Sequence, residues 1–256
     1  MTHLLYLLYL LLYIFIIYGD PMHIMEGFLP AIWCIVWFAI SIPVIALGIY
    51  KLNKLVKEKR EILPLLAVAG AFIFVLSSLK MPSVTGSCSH PTGTGIGAIM
   101  FGPAITAVLS TIVLIYQALF LAHGGLTTLG ANVFSMGIVG PVVSYLIYKA
   151  GMKAKLNFYL IVFLAATFGD WATYIVTSTE LALAFPAGNV LSVAGFFSSF
   201  SKFVAIFAIT QVPLAIIEGA VSALLFKYVI EVKSDILVEM HVLEDSVVRK
   251  IRGLSA

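Results

Sequence analysis

The chain is divided into apolar runs of roughly membrane-spanning length, and its lysines and arginines gather at their ends. The runs at 31–50, 63–79, 96–122, 132–148, 156–176 and 203–230 carry almost no charge. Backbone N–H and C=O groups placed in hydrocarbon must be satisfied within the protein, which leaves helices as the form for such runs. About 20 helical residues cross the ~30 Å apolar core of a bilayer. Composition agrees: 11% of residues are charged and 61% hydrophobic, against about 25% charged in soluble domains. An all-α integral membrane protein is therefore expected. A net charge of +3 is too small to argue for nucleic acid.

Charge also orients the spans. Lys51, Lys54, Lys57, Lys59 and Arg60 follow the first convincing span, in what reads as a short loop, and the positive-inside rule places them in the cytoplasm. Residue 22 then faces outward, and so does the segment around residue 90. The run 96–122 raises a parity problem, because one helix there would put Lys149, Lys153 and Lys155 outside. Phe101-Gly102-Pro103 offers a break. A turn there makes 91–102 a short descending segment and 103–121 a full span. Roughly 12 helical residues cover only ~18 Å, so the His90 loop must begin below the outer surface, as a re-entrant segment covered by protein. About seven segments result. Residues 177–201 read as an outer loop with polar and Gly/Pro content. All but Lys80 and Lys202 of the 15 Lys and Arg residues become cytoplasmic.

Two polar segments interrupt this apolar pattern: Met22-His23-Ile24-Met25-Glu26-Gly27-Phe28-Leu29-Pro30 and Ser87-Cys88-Ser89-His90-Pro91-Thr92-Gly93-Thr94-Gly95. Both are expected on the outer side, where they can meet and hold a divalent transition metal. If the mature chain begins at Met22, its α-amine, the His23 backbone nitrogen and the His23 imidazole can wrap a metal in two fused chelate rings. A remote imidazole such as His90 completes a four-nitrogen set, which suits Ni(II), Cu(II) or Co(II) better than tetrahedral zinc. If Met22 remains in peptide linkage to Pro21, the chelate cannot form. Residues 1–21 read as an apolar leader or a mis-called start, residues 22–230 as the membrane domain, and 231–256 as a cytoplasmic tail, a short helix or frayed end. The leader lacks a basic start and a small-residue cleavage site; a retained helix is the alternative.

Other polar residues are expected to support the site. Cys88, Ser89, His123, Asn132 and Ser135 lie on the same side, in or beside loops. Cys88 offers a soft ligand, although a small packed residue is the plainer reading. His123, just before Gly124-Gly125, is assigned support rather than ligation, because ligating imidazoles need a partner for their second nitrogen. Asp170, Glu180 and Glu218 are ionisable residues in or near spans. They are functional candidates by default, with bracing of helix contacts an equal alternative. No G-x-x-x-x-G-K-[ST], H-E-x-x-H or G-x-S-x-G occurs, so the sequence favours binding over catalysis. An intramembrane metallohydrolase using a histidine-bound metal is the competing class.

Residues 22–30, 77–95, 122–141 and 211–219 together resemble CbiM, the substrate-capture component of cobalt energy-coupling-factor transporters, with NikM as its nickel relative. The resemblance covers nearly the whole chain after residue 21. It implies a seven-helix fold with an inserted N-terminus. It implies metal ligation by the Met22 amine, the His23 amide and imidazole, and His90. It also implies a CbiQ-like coupling subunit, CbiO-like ATPases and a small CbiN-like membrane subunit as partners. No resident cofactor is expected, only the transported ion, Co(II) or Ni(II). The orientation is open to a direct check: cysteines placed at positions 55, 103 and 152 should all label from the cytoplasmic side, and outward labelling at 152 would return the count to six spans.

Overall fold

The computed structural model describes residues 23–82, 88–189 and 191–252. Met22, the leader at 1–21 and the Cys88 side chain lie outside what is described. The elements in order are α1 (Ala31–Glu58), α2 (Leu63–Ser78), α3 (Thr94–Phe101), α4 (Pro103–Phe120), α5 (Leu129–Lys153), α6 (Phe158–Ala184), α7 (Val193–Glu239) and α8 (Asp245–Ile251). Among the described residues six of these, all but α3 and α8, are long and apolar enough to cross a membrane, so this is a multi-pass membrane protein. A two-residue antiparallel ladder, Met81 with Ser89 and Pro82 with Cys88, returns the chain toward the bundle after α2.

Burial sorts the helices. More than half of the apolar window of α4, α5 and α6 is buried, against 17% for α1 and 33% for α2 and α7. The first three form the interior, and α1, α2 and α7 turn apolar faces outward. The eight residues of α3 cannot span a bilayer; Thr94 to Ile99 are all buried, packed against α4, α5 and α6. Gly102, at φ +78°, makes the turn that a residue with a Cβ would strain. Pro103 then starts α4, where its missing N–H costs nothing. The break expected from Gly102-Pro103 is present.

Two boundaries differ from the sequence reading. The basic residues after 50 do not end α1, which runs on to Glu58; Lys and Glu are good helix formers. The outer loop expected at 177–201 is mostly helix. Thr177, Ser178 and Thr179 donate their hydroxyls to carbonyls four residues back, at Thr173, Tyr174 and Ile175, so polarity there does not break α6. Only 185–192 remains between α6 and the 47-residue α7. Beyond residue 230 the described residues are mostly helical: α7 runs on to Glu239 and α8 follows, and Leu237, Val242, Leu243 and Val248 are buried against Tyr148, Phe158 and Phe226. Tyr148 Oη donates to the Val242 carbonyl at 2.5 Å.

The most extensive contact is α6 against α7, and Gly219 sets its closeness. A Cβ there would meet the Phe163 carbonyl oxygen at 2.7 Å and collide with Thr167 Oγ1. Such approach lets backbones pack directly where lipid offers no hydrophobic drive. At Gly70 a Cβ would find only Leu109 at 3.9 Å. Gly219→Leu should lower thermal stability in detergent, by about 1–3 kcal/mol of overpacking or more, while Gly70→Ala should be near neutral. Equal melting of the two variants would contradict this account of the seam.

Candidate metal site

Three non-helical segments converge at one end of the bundle, each bringing a histidine. His23 is 5% exposed, His90 1% and His123 0%. Ring centroids lie 4.5 Å apart for His23 and His90, 4.3 Å for His23 and His123, and 5.0 Å for His90 and His123. One nitrogen from each ring lies within 4.8 Å of the others. Metal–imidazole bonds are ~2.0–2.1 Å, so two nitrogens across one ion are ~4 Å apart. Small shifts would close the cluster on a single ion.

The first segment is pinned through its backbone. Ile24 N donates to Asn132 Oδ1 at 2.8 Å, while Asn132 Nδ2 and Thr128 Oγ1 donate to the Ile24 carbonyl. Gly27 N donates to Thr127 Oγ1, and Thr127 N to Glu26 Oε2. Gly124, at φ +79°, runs so close that a Cβ would stand 3.1 Å from the His23 Cβ. Both the angle and the spacing require glycine there. The second segment is held from α6 and α7. Tyr174 Oη and Gln211 Nε2 donate to the His90 carbonyl at 2.7 and 3.1 Å. Glu218 accepts from Thr92 N, Gly93 N and Thr92 Oγ1 at 2.5, 2.9 and 3.0 Å. The third is tied by His123 N to the Gln117 carbonyl at 3.1 Å.

Hydrogen bonds fix two tautomers. Gln117 Nε2 donates to Ser77 Oγ at 2.7 Å, which turns Oε1 toward His23 Nε2 at 3.1 Å. A carbonyl only accepts, so His23 Nε2 carries the proton and Nδ1 is the lone pair. The Pro91 carbonyl, 2.9 Å from His90 Nδ1, fixes that proton likewise and leaves Nε2 as the free donor to a metal. His90 Nε2 and both His123 nitrogens are buried without a hydrogen-bond partner. Such groups cost about 1–3 kcal/mol each, and a bound cation would relieve the lone pairs. Burial pushes all three imidazoles below their ordinary range, His90 to about 4. His90 adds to the shift at His23, and both neighbouring rings and Lys80 add to it at His123. Neutral imidazole is the form that binds a metal.

Of the residues expected in support, Asn132 clamps Ile24 as described. Ser89 pairs its hydroxyl with Thr210, and Ser135 donates to Ala131 and Asn132 carbonyls of its own helix; both side chains bond away from the histidines. His123, expected in support, stands within the cluster itself. Asp170 and Glu218 brace the His90 loop, Asp170 by accepting from Gln211 Nε2 at 2.8 Å on both oxygens. Glu180 is buried with neither oxygen hydrogen-bonded. Gln117, Tyr174 and Gln211 were not singled out as site residues. A glutamine inside the apolar run 103–121 was the available signal for Gln117.

The sequence model of CbiM, described as "Cobalt uptake substrate-specific transmembrane region", matches residues 23–236. The chain belongs to the CbiM family. Two proteins of Methanosarcina barkeri named as cobalt transport proteins are similar to it. CbiM 2 is 86% identical over 235 residues, 92% of this chain and 100% of that protein, and CbiM 1 is 62% identical over the same shares. The CbiM of Methanocaldococcus jannaschii is 55% identical, covering 88% of this chain and 94% of its own. Two crystal structures, titled as a transition metal transporter and a truncated one, match with TM-scores of 0.73 and 0.72 at 29% and 27% identity. Each covers 82% of this chain, and 93% and 98% of its own. The chain is thus a cobalt-uptake transmembrane component, a transporter subunit rather than an enzyme, and the metallohydrolase reading is set aside. The depressed imidazoles carry a direct consequence: in metal-free protein all three should stay neutral as pH falls through 6.5. Histidine-selective 15N NMR between pH 7.5 and 5.5 checks this, and protonation near 6.5 would mean the cluster is hydrated.

Proposed function

We propose that this CbiM-family chain captures Co(II) from the outer side of the membrane and presents it to an ATP-driven import complex. The observation that carries this is the hydrogen bond from His23 Nε2 to Gln117. It leaves Nδ1 free, and Nδ1 is the imidazole nitrogen that closes a six-membered chelate ring with the His23 backbone nitrogen. A free Met22 amine would add the second ring. His90 supplies the fourth nitrogen through its unpartnered Nε2. His123, inside the cluster, is placed to approach the ion as a further donor or to line its pocket.

Cobalt is favoured by the family's description and the names of the relatives. The ligand set itself favours nickel on the Irving–Williams order, so selection for cobalt rests on geometry, supply or a partner. The distribution of Lys and Arg supports an outward-facing site. With no P-loop in the sequence, ATP hydrolysis falls to CbiO-like subunits, joined through a CbiQ-like coupling protein and aided by a CbiN-like membrane subunit.

The test is equilibrium Co(II) and Ni(II) binding in detergent, with intact-mass measurement of the same sample. Binding-competent protein should have the mass of a chain starting at Met22. His23→Ala and His90→Ala should abolish high-affinity binding in protein that stays monodisperse. Asn132→Ala should weaken it by about 10–100-fold, as loss of an outer partner does. Full metal uptake by a chain starting at Met1, or parental binding by His90→Ala, would sink the proposed ligand set.

A further inference from the structure

Beyond the histidines, one buried feature stands against the same loop. Asp170 and Glu218 are 0% and 1% exposed, on the facing helices α6 and α7. All the donors given for Glu218 within the 90–93 loop are N–H or O–H groups of Thr92 and Gly93. A ring of donors complements a carboxylate, which only accepts. Asp170 reaches the loop through Gln211, whose Nε2 bonds both Asp170 oxygens and the His90 carbonyl. Both carboxyls are therefore held as acceptors behind the loop, Glu218 directly and Asp170 through Gln211.

The ligating atoms, by contrast, offer at most one negative charge, on the His23 backbone nitrogen, which binds a metal only after losing its proton. Neutral imidazoles bring none, and a divalent ion at a buried site needs an anion nearby to offset its lost hydration. We infer that the Asp170–Glu218 pair is the counter-charge of the metal site, positioning the His90 loop and holding negative charge behind it. This rests on the metal-capture reading above. Neither residue touches the ion; both act through Gln211, Thr92 and Gly93. Glu218 takes its donors from the loop itself, so neutralising it should cost more than neutralising Asp170, which acts through Gln211.

The experiment measures Co(II) affinity and the Co(II) d–d absorption spectrum of the full chain in detergent. The variants are Asp170→Asn, Glu218→Gln, the double variant, and Glu180→Gln as a buried-carboxylate control on α6 outside the loop contacts. Asp170→Asn should cost less than about 10-fold, Glu218→Gln about 10–100-fold, and the double variant about 100-fold or more with a changed spectrum, around the range for outer partners of metal ligands. Glu180→Gln should bind like the parent. Parental affinity and spectrum in the double variant would overturn the inference. If the double variant does not fold, Glu218→Gln decides, since parental affinity there would also overturn it. Failure of the parent itself to bind Co(II) or Ni(II) would instead strike at the metal-capture reading.

Discussion

Backbone buried outside a helix must find partners among side chains, and the site is arranged around that constraint. Three non-helical stretches, at His23–Ile24, His90–Gly93 and His123–Gly124, lie inside an apolar bundle where no water shell can serve them. Asn132 and Thr128 satisfy Ile24. Tyr174 and Gln211 satisfy the His90 carbonyl, and Glu218 the N–H groups of Thr92 and Gly93. Asn132, Tyr174, Gln211 and Glu218, polar residues inside the spanning helices and costly anywhere else, are thereby accounted for. The histidines then sit on backbone that cannot drift, as closely spaced metal ligation demands.

The same bonds decide what the histidines can do. Gln117 is anchored on Ser77 of α2 and so must show its oxygen to His23, which selects the tautomer. Pro91 selects the tautomer of His90 through its carbonyl. Each free lone pair thus follows from a neighbour whose own orientation is fixed further out. An imidazole free to exchange tautomers would lose part of its binding free energy to that choice.

Much of this was legible because membrane segments are monotonous and interruptions stand out. Apolar length located the spans, Gly102-Pro103 located the turn into α4, and the two histidine-bearing segments marked the site. Legibility failed where polarity was taken to mean a loop. Thr177 to Thr179 return their hydroxyls to their own helix, and Lys51 to Glu58 extend α1 beyond the apolar region rather than ending it. It failed again for His123. Gly124-Gly125 signals a turn, but nothing local shows that the turn is packed on His23. That contact spans 100 residues and depends on the position of α4 against α5. Gln211 and Tyr174 were hidden for the same reason, since their partner is the backbone of residue 90.

The division of these attachments bears on what an ion held among the histidines would join. His23 and His123 are fastened to α4 and α5, through Gln117, Asn132 and Thr128, the last at the start of α5. His90 is fastened to α6 and α7, through Tyr174, Gln211 and Glu218. A metal held by both sets bridges the two helix pairs. Coordination distances tolerate only a few tenths of an ångström, while packed helices can slide by 1–2 Å. The seam between the two pairs is close, with Ser144 of α5 donating to the Ala165 carbonyl of α6 at 2.8 Å, so the packing of α5 on α6 sets the distance from His90 to His23 that such an ion would require.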